Sequence, residues 1–139
     1  MAEKKIRVLL TKSIMDAHDR GVRYVAMELK DSGMEVICTR YGVPQEIVNT
    51  AMQEDADVIG ISFSSGAPKI IISEVLRLLK KNKMGHMPVI VGGVIPDDEV
   101  SELLKAGVKG VFGPGSYAKD IIATIRAQSQ KSPKGSRGV

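Results

Sequence analysis

The 139 residues carry 20 Lys and Arg against 16 Asp and Glu, enough chain for one domain with its own core. Lys131, Lys134 and Arg137 lie in the last eleven residues with no acid beside them, so the body is nearly neutral and a nucleic-acid surface is excluded. The lone Cys38 excludes an internal disulfide or multi-cysteine metal site, and no apolar run approaches the ~18 residues of a membrane span.

The opening apolar run, about Ile6–Thr11, reads as a buried first strand; it is too short, and too interrupted by Arg7, for a signal peptide. A cytoplasmic location is therefore expected. A helix is expected over about Arg20–Ser32, with Val22, Val25, Ala26 and Leu29 on one face and Gly33 closing it. The second strand is about Glu35–Thr39, where Cys38 is expected as a buried, inert thiol. Pro44 opens a helix to about Glu54. Residues Asp57–Ser62 are apolar toward both faces, as in a central parallel strand. A third helix is expected over Pro68–Lys81 and a fourth strand over Pro88–Gly92. Asp97 and Asp98 suit the positive end of a fourth helix, which Gly107 ends. Gly110–Phe112 makes a short fifth strand, and the last helix runs from about Tyr117 to Ala127. Residues 1–128 form the domain, and 129–139 read as a disordered basic tail.

Five strand–helix alternations with short connections predict an α/β fold: a five-stranded parallel sheet with helices on both faces, in the flavodoxin-like order 2-1-3-4-5. In such sheets ligands bind at the carboxyl ends of the strands, beside the switch point between strands one and three. The chemically unusual loops collect on that rim. The first is Lys12-Ser13-Ile14-Met15-Asp16-Ala17-His18-Asp19-Arg20-Gly21. Asp16 can accept a hydrogen bond from Nδ1 of His18 and leave Nε2 to a metal. Alone, such a pair is most often a surface hydrogen bond. Further along come Ser62-Phe63-Ser64-Ser65-Gly66-Ala67, Gly92-Gly93-Val94-Ile95-Pro96 and Gly113-Pro114-Gly115-Ser116. Small side chains and hydroxyls there leave a narrow slot beside the imidazole, although each loop singly is an ordinary turn. No dinucleotide or triphosphate glycine motif is present. His86 belongs to the opposite rim and is expected in a structural or solvent role.

Asp16-Ala17-His18-Asp19-Arg20-Gly21, Ser62, Val91-Gly92-Gly93-Val94-Ile95-Pro96 and Phe112-Gly113-Pro114-Gly115 together resemble the cobalamin-binding domain of adenosylcobalamin-dependent acyl-CoA mutases, the methylmalonyl-CoA mutase group. The resemblance spans about Arg7–Ile125. It implies adenosylcobalamin bound base-off, with His18 as lower cobalt ligand, Asp16 holding it, and Lys12 extending that relay. It assigns Asp19, Arg20, Gly21, Ser62, Ser64, Gly92, Gly93, Gly113, Pro114 and Gly115 to cofactor binding, with the displaced nucleotide tail in the slot. The family usually has Ser-x-Leu where this chain has Ser62-Phe63-Ser64, so Phe63 or Ser64 is expected to line the tail instead of leucine.

By the same resemblance the reaction is a radical rearrangement of an acyl-CoA skeleton, of methylmalonyl-CoA, isobutyryl-CoA or 2-hydroxyisobutyryl-CoA type. The acyl-CoA site belongs to a TIM barrel of ~250 residues. This chain is then the small subunit of a split isomerase, inactive without a large subunit and assembled with it as a heterotetramer. A corrinoid methyl carrier uses the same His motif but resembles this fold with an N-terminal helical cap. A non-catalytic cobalamin sensor is the other alternative.

Overall fold

The structure is a computed structural model that describes residues 5–17, 20–64, 68–113, 116 and 118–131. Strand and helix alternate as β1 (Arg7–Ser13), α1 (Arg20–Asp31), β2 (Glu35–Tyr41), α2 (Pro44–Gln53), β3 (Val58–Phe63), α3 (Pro68–Lys81), β4 (Val89–Gly93), α4 (Asp97–Ala106), β5 (Gly110–Phe112) and α5 (Ala118–Lys131). All strand pairs are parallel, in the order β2-β1-β3-β4-β5. This is the expected topology, and the fold is flavodoxin-like. β1 and β2 each run two residues beyond expectation, because their pairing continues to Ser13 opposite Tyr41.

Side chains alternate across the sheet and divide the core in two. Leu9, Ile59, Ile61, Val89 and Val91 meet Ile47, Val48, Ile72, Val75, Leu79 and Leu103 from α2, α3 and α4. On the other face Val8, Leu10, Val58 and Ile90 meet Ala26 and Leu29 of α1 and Ile121 and Ile125 of α5. Each such fully buried aliphatic contributes roughly 1.5–3 kcal/mol. The starts of β1 and β3 are tied by Asp57, whose carboxylate accepts the Arg7 N–H at 2.8 Å.

Three details depart from expectation. α5 continues through Lys131, so the folded body does not end at residue 128. Ile121, Ile125 and Ser129 repeat at four-residue spacing and are all buried, and Arg126 donates to the Ser32 carbonyl at 3.1 Å. The buried stripe therefore passes through letters that read as a polar tail; residues 132–139 lie outside the described ones. Cys38 is exposed, not buried, because β2 is an edge strand that α1 covers only in part. Phe63 packs into the α2–α4 core and so points away from the face where the slot lies.

The turn into α2 has its own lock. The Glu46 carboxylate accepts the backbone N–H groups of Gly42 at 2.6 Å and Val43 at 2.9 Å. The Val43 and then the Gly42 hydrogen bonds hold its pKa below the ordinary carboxylate value. A depressed folded-state pKa contributes stability above the unfolded-state pKa, lost as pH falls through the folded one. Glu46→Gln is therefore expected to melt below wild type at neutral pH, the gap closing on acidification below the ordinary carboxylate range. Thermal melts over a pH series check this, and a gap independent of pH would contradict it.

Candidate functional site

The carboxyl rim is built by register. Lys12 of β1 lies opposite Arg40 of β2 and Ser62 of β3; Ser62 lies opposite Gly92 of β4, and Gly92 opposite Phe112 of β5. This row crosses the sheet on the face that α1 and α5 cover. Beneath it Gly60 keeps the floor low: a Cβ there would come within 2.7 Å of Leu10 Cδ2 and 3.5 Å of Ile90 Cγ1. The result is a cavity of about 280 Å³ between the sheet and the two helices. Gly60, Ser62 and Gly92 form its floor, Val25 and Tyr24 its α1 wall, and Phe112 and Ile121 the far side. Gly21, Gly93, Gly113 and Ser116 line it as well. It is a largely apolar slot with hydroxyls and bare backbone at its edge.

Gly93 makes the turn above β4. Its φ of +116° is unfavourable for any side chain. A Cβ there would lie 1.8 Å from the Phe63 carbonyl oxygen, which accepts the Val94 N–H at 2.9 Å.

After β1 the chain turns at once. The Asp16 N–H donates to the Ser13 carbonyl at 3.0 Å, the Met15 N–H to Ser13 Oγ at 3.1 Å, and the Ile14 N–H to the Tyr41 carbonyl at 2.9 Å. Tyr41 is buried. Its phenol pKa is raised by that burial and, secondarily, by the nearby Asp16 carboxylate. Lys12 is only 3 % exposed, an unusual place for an ammonium, and it is engaged with a partner. Arg20 is exposed at the start of α1.

His18, Asp19, Pro114 and Gly115, all expected at this site, lie outside the described residues. Of the described ones, Gly21, Ser62, Gly92, Gly93 and Gly113 share the cavity, with Lys12 next to Ser62 in register. Ser64 is half-buried past the end of β3 and does not line it, so neither residue expected in place of leucine does. Sequence reasoning missed Gly60, Tyr24, Val25 and Phe112. Counting alternate residues back from Ser62 and Gly92 would have found Gly60 and Ile90. His86 is exposed in the turn before β4, at the opposite rim.

A family model described as the B12 binding domain matches residues 6–123. The chain belongs to the B12-binding domain family. Within it, the chain is 44% identical over 130 residues to the pivalyl-CoA mutase small subunit of Xanthobacter autotrophicus, an alignment covering 93% of this chain and 87% of that one. It is 42% identical over 128 residues to the 2-hydroxyisobutanoyl-CoA mutase small subunit of Aquincola tertiaricarbonis, covering 91% and 94% of the two chains. The methylmalonyl-CoA mutase of Cereibacter sphaeroides is 37% identical over 128 residues, which are 88% of this chain and 18% of that protein. The alignment thus covers most of the first two relatives and a small part of the third.

Solved structures agree on the fold. A cobalamin-binding protein from Desulfitobacterium hafniense superposes with a TM-score of 0.71 at 22% identity, over 90% of this chain and 60% of that one. A response-regulator receiver domain from Clostridium thermocellum superposes with a TM-score of 0.67 at 18% identity, over 91% and 95%. Receiver domains share the sheet order, so the slot and its loops, and not the fold, distinguish the chemistry.

Proposed function

We propose that this chain is the adenosylcobalamin-carrying small subunit of a split acyl-CoA mutase. The observation that carries the reading is the 280 Å³ slot floored by Gly60, Ser62 and Gly92 beside the loop that begins at Asp16. It is supported by near end-to-end similarity to mutase small subunits of two organisms. His18 is the lower ligand to cobalt. Asp16 accepts the other imidazole N–H and fixes the tautomer, and the buried Lys12 holds that carboxylate. The nucleotide tail, displaced from cobalt, enters the slot: Ser62 offers a hydroxyl, Gly92, Gly93 and Gly113 leave clearance, and Phe112 offers an apolar wall. Asp19, Arg20, Gly21, Ser64, Pro114 and Gly115 complete the binding surface along the rim.

When bound, adenosylcobalamin would supply homolytic cobalt–carbon chemistry, and this chain would supply a ligand and orientation. The acyl-CoA is bound by a barrel-shaped large subunit, with which this chain assembles as a heterotetramer. Branched acyl groups, as in the names of the two small-subunit relatives, are the favoured substrate class.

The test is an electron paramagnetic resonance spectrum of the cob(II)alamin form in nitrogen-15-labelled protein. Hyperfine splitting from a labelled nitrogen is expected, and His18→Ala removes it. Splitting from the unlabelled benzimidazole nitrogen would overturn the base-off, His-on reading.

A further inference from the structure

The chain has three Tyr, two Phe and no Trp. Two of these aromatics, Tyr24 and Phe112, line the slot from opposite sides, one from α1 and one from β5. They are held differently. Phe112 packs against the core on the α1–α5 face, and its ring lies over Gly110, where a Cβ would come within 2.9 Å of Cε2 and 3.1 Å of Cζ. It is a fixed wall. Tyr24 belongs to neither core cluster and is 52 % exposed. One turn before it, Gly21 also lines the slot, and a Cβ there would meet nothing within 4 Å. Side chains of a helix lean toward its N-terminus, so Tyr24 leans over Gly21 toward the rim, with open space in front of it.

A single exposed tyrosine on a helix is ordinary. Tyr24 is set apart by its place at the slot and by the lack of any core packing that would hold it there for folding alone. Among the described residues, no Lys, Arg, Asp or Glu lines the slot. Whatever enters is therefore gripped by contact and by hydroxyls, not by charge. Aromatic surface is then the largest contribution the walls can make, and a ring with two torsion angles is ordered at small entropic cost. Phe112 gives that surface in one position; Tyr24 has room to swing onto the group that enters.

We propose that Tyr24 closes the slot over the nucleotide tail against Phe112, and so makes the chain select a complete cobalamin over a corrinoid that lacks the tail. This rests on the reading of the chain as a cobalamin carrier with the tail in the slot.

The test titrates the intact chain with adenosylcobalamin and with adenosylcobinamide, which has the same corrin and upper ligand but no nucleotide. Binding is followed by the absorbance of the corrin. The wild-type chain is expected to prefer adenosylcobalamin by at least about tenfold. Tyr24→Ala should weaken adenosylcobalamin binding about tenfold and leave adenosylcobinamide within about twofold. Tyr24→Phe keeps the ring and should stay within about twofold of wild type for both. Met27→Ala, in the next turn of α1, removes a side chain that is 58 % exposed and does not line the slot, and should change neither affinity. Circular dichroism and melting curves verify that each variant is folded. Equal loss of both ligands in Tyr24→Ala would assign the residue to the corrin or the fold, and an unchanged cobalamin affinity would leave it a surface residue; either overturns this inference alone. Equal wild-type affinity for the two ligands overturns it too, as does a loss in Tyr24→Phe matching that in Tyr24→Ala, since the hydroxyl and not the ring would then act. A wild-type chain that binds neither ligand removes the cobalamin-carrier reading, and this inference with it.

Discussion

Gly93→Ala is expected to lower stability by roughly 3–5 kcal/mol, a large share of the ~5–15 kcal/mol typical of a domain. Two costs combine. The φ of +116° is strained for any residue with a side chain. The added methyl would also sit 1.8 Å from the Phe63 carbonyl oxygen, which belongs to the neighbouring strand's backbone and has no rotamer to give way. Relief requires moving β4 away from β3, which breaks the Val94-to-Phe63 hydrogen bond and shifts Gly92 out of register with Ser62. A drop in melting temperature of about 10 °C or more follows for a domain of this size. Gly92→Ala is the contrast: its Cβ would meet only the Phe112 carbonyl oxygen at 3.6 Å, an ordinary contact. That variant should melt near wild type and lose cofactor affinity, because the new methyl takes space from the slot. Melting curves for the two variants separate the roles of these adjacent glycines. Equal stability of Gly93→Ala and wild type would refute the strain.

That both glycines matter was visible in the letters Gly92-Gly93; that they do different work was not. Sequence periodicity reports which face a residue occupies, and this was enough for five strands, five helices and their order. It does not report what lies across the gap. Phe63 illustrates the limit: it stands between Ser62 and Ser64 in a loop-like run, yet it is the last core residue of β3 on the α2–α4 face. Cys38 fails for a related reason. The apolar run Val36-Ile37-Cys38 looks buried, but order 2-1-3-4-5 makes its strand an edge, so residues near the rim lose their cover. Lys12 is the reverse case, a charged letter beside a loop that the structure buries to 3 % exposure. Of the residues that the motifs singled out, Gly21, Ser62, Gly92, Gly93 and Gly113 do share the cavity. The slot's walls, Tyr24, Val25 and Phe112, were not legible, because separate elements bring them together only after folding.

The isolated chain, even saturated with adenosylcobalamin, is expected to rearrange no acyl-CoA at all. The cavity of about 280 Å³ lies between the sheet, α1 and α5, and in the proposed reading it takes the cofactor's nucleotide tail. Radical chemistry needs a site from which water and stray hydrogen donors are excluded, and an open rim cannot supply one. Exposed Ile14, Met15, Val43 and Val94 border that rim, which is the arrangement expected of a face completed by another subunit. Turnover should therefore appear only on adding a large subunit, rising with its concentration and saturating at a fixed stoichiometry. His18→Ala should reduce that reconstituted activity by at least ~10–100-fold, the loss typical of removing even an outer-shell metal partner. The assay follows product acyl-CoA by mass spectrometry, with pivalyl-CoA, 2-hydroxyisobutanoyl-CoA and methylmalonyl-CoA offered in parallel. Product from the isolated chain with any of these would mean that the enclosing surface lies on this chain after all. Activity that appears only with the large subunit would support the proposal that the exposed apolar rim is the face completed by that partner.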